Sequence, residues 1–189
     1  GRSSALSPAP TTARKYRPSC SCTARSGTIS ASLISPPVAR TREAVGPDFI
    51  IGARFTADED LEGGTTKEDG MQVARLLKES GKIDFLNVVK GHIDTDPGLT
   101  DLIPIQGMPS APHLDVAGEI RRAVDFPTFH AARIPDVAPA RHAIASGKVD
   151  MVGMTRAHMT DPHLVRKLIE GREHDIRPCV GANYCLDRI

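Results

Sequence analysis

A chain of 189 residues with 40% apolar residues is long enough for one good-sized domain with a buried core. Its net charge of +1 argues against a general nucleic-acid binder, and the absence of any 18-residue apolar run argues against a transmembrane helix. The charge is unevenly spread: residues 1–45 carry seven Arg or Lys and one acid, Glu43, so the remainder is acidic.

Residues 1–39 are dominated by Ser, Pro, Thr, Ala and Arg without a sustained period of 2 or 3.6. Such a leader buries too little apolar surface to offset its ordering entropy and is expected to be disordered. Its Arg- and Ser-rich, acid-poor composition is that of a transit peptide, but Pro8, Pro10, Pro18, Pro36 and Pro37 interrupt any amphipathic helix. Cys20 and Cys22 are too close for an ordinary zinc knuckle. With only Cys179 and Cys185 besides, no disulfide framework is suggested, and a reducing cytoplasm is the default compartment.

From about Arg40 a repeating unit begins. The run 49–55 (FIIGARF) is short and continuously apolar, as for a parallel strand covered on both faces. Thr65 and Glu68 have the spacing of a capping box, and Val73, Leu76 and Leu77 then form a helical face stopped by Gly81. A second strand is predicted over 83–89 and, after a long loop, a helix through Val116, Ile120, Ala123 and Val124. A third strand is predicted over 126–131, followed by a helix through Val137, Ala140 and Ile144. The fourth strand is 149–154; Asp161 as N-cap and Pro162 then open a helix with Leu164, Val165, Leu168 and Ile169 on one face. Four β-then-α units predict a parallel α/β fold, either half a barrel or a small open sheet.

In either fold the functional edge is the carboxyl end of the strands. Arg54, Arg133 and Arg156 follow the first, third and fourth strands there. Guanidinium groups suit a phosphate or an electron-rich ring carbonyl, although pairing with surface carboxylates is the alternative from spacing alone. His92 and His130 also fall near strand ends, and neither is assigned a role.

The stretches VGPDFIIGARFTADED and VDMVGMTRAHMTDPHLVRKLIEGREHDIRPCVGANYCLDRI resemble the NADH:flavin oxidoreductase (old yellow enzyme) family. The similar branch is that of trimethylamine dehydrogenase, dienoyl-CoA reductase and related demethylases. The resemblance runs from about Arg40 to Ile189 and is most specific where R-x-x-x-x-D-P and R-x-C-x-G-x-N-x-C follow the last strand. It implies a partial (β/α)₈ TIM barrel: about four C-terminal units over 40–178, with a truncated tail at 179–189.

The resemblance also implies roles. Arg54 would face the polar edge of the FMN ring. Ala132 and Arg133 would form the phosphate loop, Ala standing where the family usually has Gly. Gly153 and Met154 would grip the phosphate through backbone N–H groups and Arg156 through its side chain. Cys179 and Cys185 match two cysteines of the branch's [4Fe–4S] motif, but Ala182 stands between them and four thiolates are the normal requirement, so no cluster and no metal are expected.

The family's first half, with its proton donors and substrate-anchoring residues, finds no counterpart upstream, where CTARSGTISASLISPPVAR suggests a frameshift or a gene fragment with a foreign leader. The resulting expectation is a piece of an FMN-dependent oxidoreductase, transferring hydride between FMN and an enoyl or N-methyl amine substrate and inactive alone. It would self-associate or need the missing half. The alternatives are one part of a split flavoenzyme and a non-enzymatic phosphate-ligand module.

Overall fold

The computed structural model describes residues 31–187, with side chains over 36–185; the expectations for residues 1–30, including Cys20 and Cys22, lie outside these. Four parallel strands, β1 (Gly52–Asp58), β2 (Phe85–Lys90), β3 (Thr128–His130) and β4 (Met151–Val152), form one sheet in the order β1-β2-β3-β4. The intervening helices are α2 (Lys67–Glu79), α3 (Asp96–Leu102), α4 (Leu114–Val124) and α5 (Val137–Ala145). Helix α1 (Ala31–Val45) precedes the sheet, and α6 (Thr155–Thr160), α7 (Leu164–Ile169) and the short α8 (Tyr184–Asp187) follow it. The fold is α/β, as expected, and each strand runs parallel to its neighbour because a helical crossover returns the chain to the same edge.

Helix α1 runs through Pro36 and Pro37 and starts nine residues before the expected boundary at Arg40. Each proline removes one amide donor, but Val38 packs on the core. Arg42 also ties the helix end down: its guanidinium donates to the carbonyls of Phe49 (2.6 Å), Gly46 (3.0 Å) and Lys82 (3.1 Å) and to Asp84 Oδ2 (2.8 Å).

The first strand is displaced from the expected 49–55. Phe49 and Ile50 are 61% and 72% exposed, and pairing begins at Gly52 opposite Phe85. The cause is Asp84, whose carboxylate takes the Ile51 amide (2.7 Å) while its own N–H donates to the Ile51 carbonyl. The capping box is also one residue later than expected, at Thr66 and Asp69. Thr65 is engaged elsewhere, bonding Glu59 through both its amide and its carbonyl. Helix α3, expected as loop, is capped by the Thr95 hydroxyl, which accepts from the Gly98 amide at 3.1 Å.

The core lies between the sheet and α2/α4. Leu86, Val88, Ile120, Ala117 and Val149 are at most 2% exposed and belong to one apolar cluster. Gly70 lets α2 approach closely, since a Cβ there would overlap the Ala57 carbonyl. The other face of the sheet carries, in register, Arg54, Asn87, Phe129 and Met151. Phe85 stacks on Phe129 with centroids 4.4 Å apart. This face is only partly covered among the described residues, with Met151 52% exposed.

The last helical segment differs from expectation too. Asp161 ends α6, and its Oδ1 accepts the His163 amide (3.1 Å) in a turn preceding α7 rather than capping the helix directly. Of the expected apolar face only Leu164 is buried; Val165, Leu168 and Ile169 are 50%, 37% and 81% exposed. None of the helices among the described residues is long and apolar enough to cross a membrane.

Candidate functional site

At the carboxyl end of the strands a cavity of about 330 Å³ is lined by Arg54, Ala132, Arg133, Gly153, Met154 and Arg156. All six residues singled out from the sequence therefore meet at one place. Strand direction explains two of the arginines: Arg133 and Arg156 follow β3 and β4 at their carboxyl ends. Arg54, expected after the first strand, is instead the third residue of β1 and reaches the cavity from the row it shares with Asn87 and Phe129. Leu102, Ile103 and the thiols Cys179 and Cys185 complete much of the wall.

The charge balance of the cavity is one-sided. Three guanidinium groups line it and, among the described residues, no Asp or Glu does. None of the three arginines forms an ion pair among the described residues, whereas surface arginines such as Arg121, Arg141 and Arg172 all do. Arg54 makes no hydrogen bond to any described residue. Arg133 donates from Nε to the Met108 carbonyl at 2.9 Å. Arg156 donates from Nη1 to the Pro104 carbonyl at 3.0 Å and to the Asn183 side-chain oxygen. Neutral acceptors orient these cations without cancelling their charge, which leaves the cavity suited to an anion.

The backbone around the cavity is unusual in the same places. Arg133 has φ of +44°, the left-handed region that costs a non-glycine residue roughly 1–2 kcal/mol. Its carbonyl is held there by the Ala111 amide at 2.8 Å. Gly153 admits no side chain without displacement, because a Cβ would lie 2.7 Å from that of Ala131.

One expected contact is corrected. The Gly153 N–H is not free for a phosphate, since it donates to the His130 carbonyl at 2.8 Å and so extends the β3–β4 ladder. The Met154 amide has no such acceptor among the described residues. His130 itself is 2% exposed on the helix side of the sheet; its Nδ1 lies 2.9 Å from the Val88 carbonyl and Nε2 has no partner. Burial pushes its pKa below the ordinary value, so it is a neutral core residue. His92 folds against Gly98 of α3, outside the cavity wall.

Sequence reasoning missed the residues that hold the arginines. Ile103, Pro104 and Met108 follow the unexpected α3, and Asn183 lies in the tail; Asn183 Nδ2 donates to the Ile103 carbonyl at 2.9 Å. The Thr-Asp-Pro-Gly sequence at 95–98 was the available signal for α3. No spacing rule points from Arg156 to a partner 27 residues on.

Among the described residues no group of three or more His, Cys, Asp or Glu is placed to hold a metal. At the cluster-like motif Cys179 and Cys185 face the cavity, while Ala182 between them is exposed and carries no ligand.

Residues 37–175 match the NADH:flavin oxidoreductase / NADH oxidase family. A probable N-methylproline demethylase of Rhizobium meliloti (strain 1021) is 75% identical over 148 residues, which are 78% of this chain and 22% of that protein. The multifunctional alkene reductase/demethylase OYE of Caballeronia cordobensis is 48% identical over 76% of this chain and 21% of its own. The chain thus spans about a fifth of the length of these curated relatives. Among solved structures, 2-naphthoyl-CoA reductase in complex with 2-naphthoyl-CoA superimposes with a TM-score of 0.73 at 27% identity, covering 81% of this chain and 23% of that one. The four units are accordingly part of a TIM-barrel architecture, and the chain belongs to the NADH:flavin oxidoreductase / NADH oxidase family.

Proposed function

We propose that this chain supplies the phosphate-gripping side of an FMN site in an oxidoreductase acting on an N-methyl amine or an alkene conjugated to a carbonyl. The observation that carries the reading is three arginines on one cavity at the carboxyl end of the sheet with no carboxylate among the described residues that line it. Bound FMN would supply the hydride chemistry. Arg133 and Arg156 would hold the phosphate, with the Met154 amide as a further donor. Arg54, on the row shared with Asn87 and Phe129, would face the ring and stabilise negative charge on it. Ala132 and Gly153 would shape the loop floor.

FMN was the expected cofactor and a [4Fe–4S] cluster was not. The cavity suits the phosphate end of FMN. The residues present fit a [4Fe–4S] cluster poorly, because Ala182 stands where the motif has a cysteine between Cys179 and Cys185, and no step is routed through it. The choice of substrate class follows the relatives, one a probable N-methylproline demethylase and another an alkene reductase/demethylase.

Turnover needs more of the barrel than these four units provide. The inner face bearing Arg54 and Met151 is partly open, and β1 and β4 each have one unpaired edge among the described residues. We therefore propose that the isolated chain binds FMN weakly, does not turn over, and acquires activity only with the remaining strands of a barrel, in a reducing cytoplasmic setting.

Titration of the purified chain with FMN, followed by the visible flavin spectrum, tests this. The expected result is a perturbed spectrum that Arg156→Ala weakens by about tenfold or more, as for loss of a charge-assisted bond. No bleaching is expected on adding an N-methyl amine. Bleaching by substrate would overturn the inactivity, and binding of phosphate esters without any flavin preference would favour a non-enzymatic module.

A further inference from the structure

We propose that the tail segment Cys179–Cys185 is a strap that orients the two phosphate-site arginines, with Asn183 as the positioning residue of Arg156. This rests on the FMN-phosphate reading above and extends it to residues that neither the family match nor the strand pattern assigns.

The segment reaches the cavity by two tight backbone turns. Gly181 has φ of +74° and Asn183 φ of +55°, both in the left-handed region, where glycine pays nothing and asparagine relatively little. The first turn aims the Gly181 carbonyl at the Gln106 amide, 2.8 Å away, fixing the strap to the loop after α3. The same glycine lies directly against Arg133: a Cβ there would collide with Arg133 Nη1. Gly181 is buried, so the contact is enclosed.

The second turn presents the Asn183 amide group, which is used at both ends. Its oxygen accepts from Arg156 Nη1, and its nitrogen donates to the Ile103 carbonyl at 2.9 Å. Arg156 Nη1 meets the Pro104 carbonyl as well. The guanidinium is thus clasped between the strap and the 103–104 backbone, and its other N–H groups make no bond to any described residue.

An amide suits this task better than a carboxylate. Asparagine directs the donor geometry and leaves the cation's full charge for a ligand, whereas an aspartate would neutralise it. A floppy arginine must lose side-chain entropy when it binds, and a pre-oriented one loses less. Asn183 therefore favours the anion without touching it.

The test compares FMN with riboflavin, which lacks the phosphate, by flavin fluorescence titration of the full chain. Asn183→Ala is expected to lower the preference for FMN over riboflavin about fivefold to tenfold; its melting temperature falls as well, because alanine is strained at this positive φ, but the preference is a ratio of two affinities for the same folded chain. Asn183→Asp, of the same shape and tolerant of the positive φ but without the Nδ2 donor to Ile103, is expected to lower it further, because its carboxylate competes with the phosphate for Arg156. An unchanged preference in both variants overturns the strap. So does an equal loss of FMN and riboflavin affinity, which would make the segment a mere wall. Arg156→Ala, run in parallel, separates the two levels: if it leaves the preference intact, the phosphate reading itself fails and the strap falls with it; if it abolishes the preference while both Asn183 variants do not, only the strap fails.

Discussion

At the scale of single residues, two aspartates repeat one device at the amino end of the sheet. Asp84 precedes β2, accepts the Ile51 amide and pairs with Arg42 of α1. Asp150 precedes β4, accepts the Thr128 amide (2.9 Å) and takes a bidentate pair from Arg121 of α4. Each carboxylate thus ties a strand start to its neighbour and to a helix, at the end of a barrel where conserved geometry serves stability. Backbone bonding from Ile51 and then Arg42 hold Asp84 below the usual carboxylate range; Arg121 foremost does so for Asp150. Arg121→Ala should destabilise the chain by roughly 1 kcal/mol, the value of a partly exposed charged hydrogen-bond pair, checked by urea unfolding.

These carboxylates and Asp161 give the pH dependence its sign. Asp161 is held at about 2, first by Lys167 and then by the Arg177 amide. A depressed carboxylate stabilises the fold above its unfolded pKa near 3.8, and that contribution is lost as pH falls through the lower folded value. Acid unfolding should therefore steepen below about pH 4. His130 acts at a higher pH with its own sign. It is neutral when folded, so stability should decline as pH falls below the unfolded value near 6.5, where only the unfolded chain takes up the proton. His130→Leu should remove that shallower decline; an unaltered stability profile between pH 7 and 5 would contradict the assignment.

At the scale of elements, the sequence revealed what periodicity and strand direction can reveal. Buried parallel strands are continuous apolar runs, so all four βα units were legible, and parallel topology sends Arg133 and Arg156 to one mouth whatever the exact boundaries. Boundaries shifted where a side chain outside the strand competed for backbone groups, as Asp84 did at Ile51 and Glu59 did at Thr65. Helix α3 escaped because seven residues carry too little period. Asn183 and Pro104 escaped because their contacts with Arg156 span 27 and 52 residues. Helix α7 lies within the expected segment, but of its apolar face only Leu164 is buried, leaving Val165, Leu168 and Ile169 exposed among the described residues. Exposed apolar patches of this kind drive association. Ile169→Glu with Val165→Lys should lower the apparent mass in light scattering while changing unfolding free energy by less than about 0.5 kcal/mol.

At the scale of the whole molecule, the described residues form one curved sheet with helices on one side and a functional row on the other. A closed barrel has no unpaired edges, whereas this sheet has two, at β1 and β4. Under the proposed function the chain is a phosphate-binding half-site whose remaining walls come from other strands. Among the described residues Arg54, Arg133 and Arg156 have no carboxylate partner, as the proposed anion site requires. The direct measurement is the affinity of the purified chain for FMN and for riboflavin across a salt series. The account predicts tighter binding of FMN, with an advantage that shrinks as salt rises and vanishes in the Arg133→Ala, Arg156→Ala double variant. Equal affinity for the two flavins, at low salt and in the unaltered chain, would contradict it.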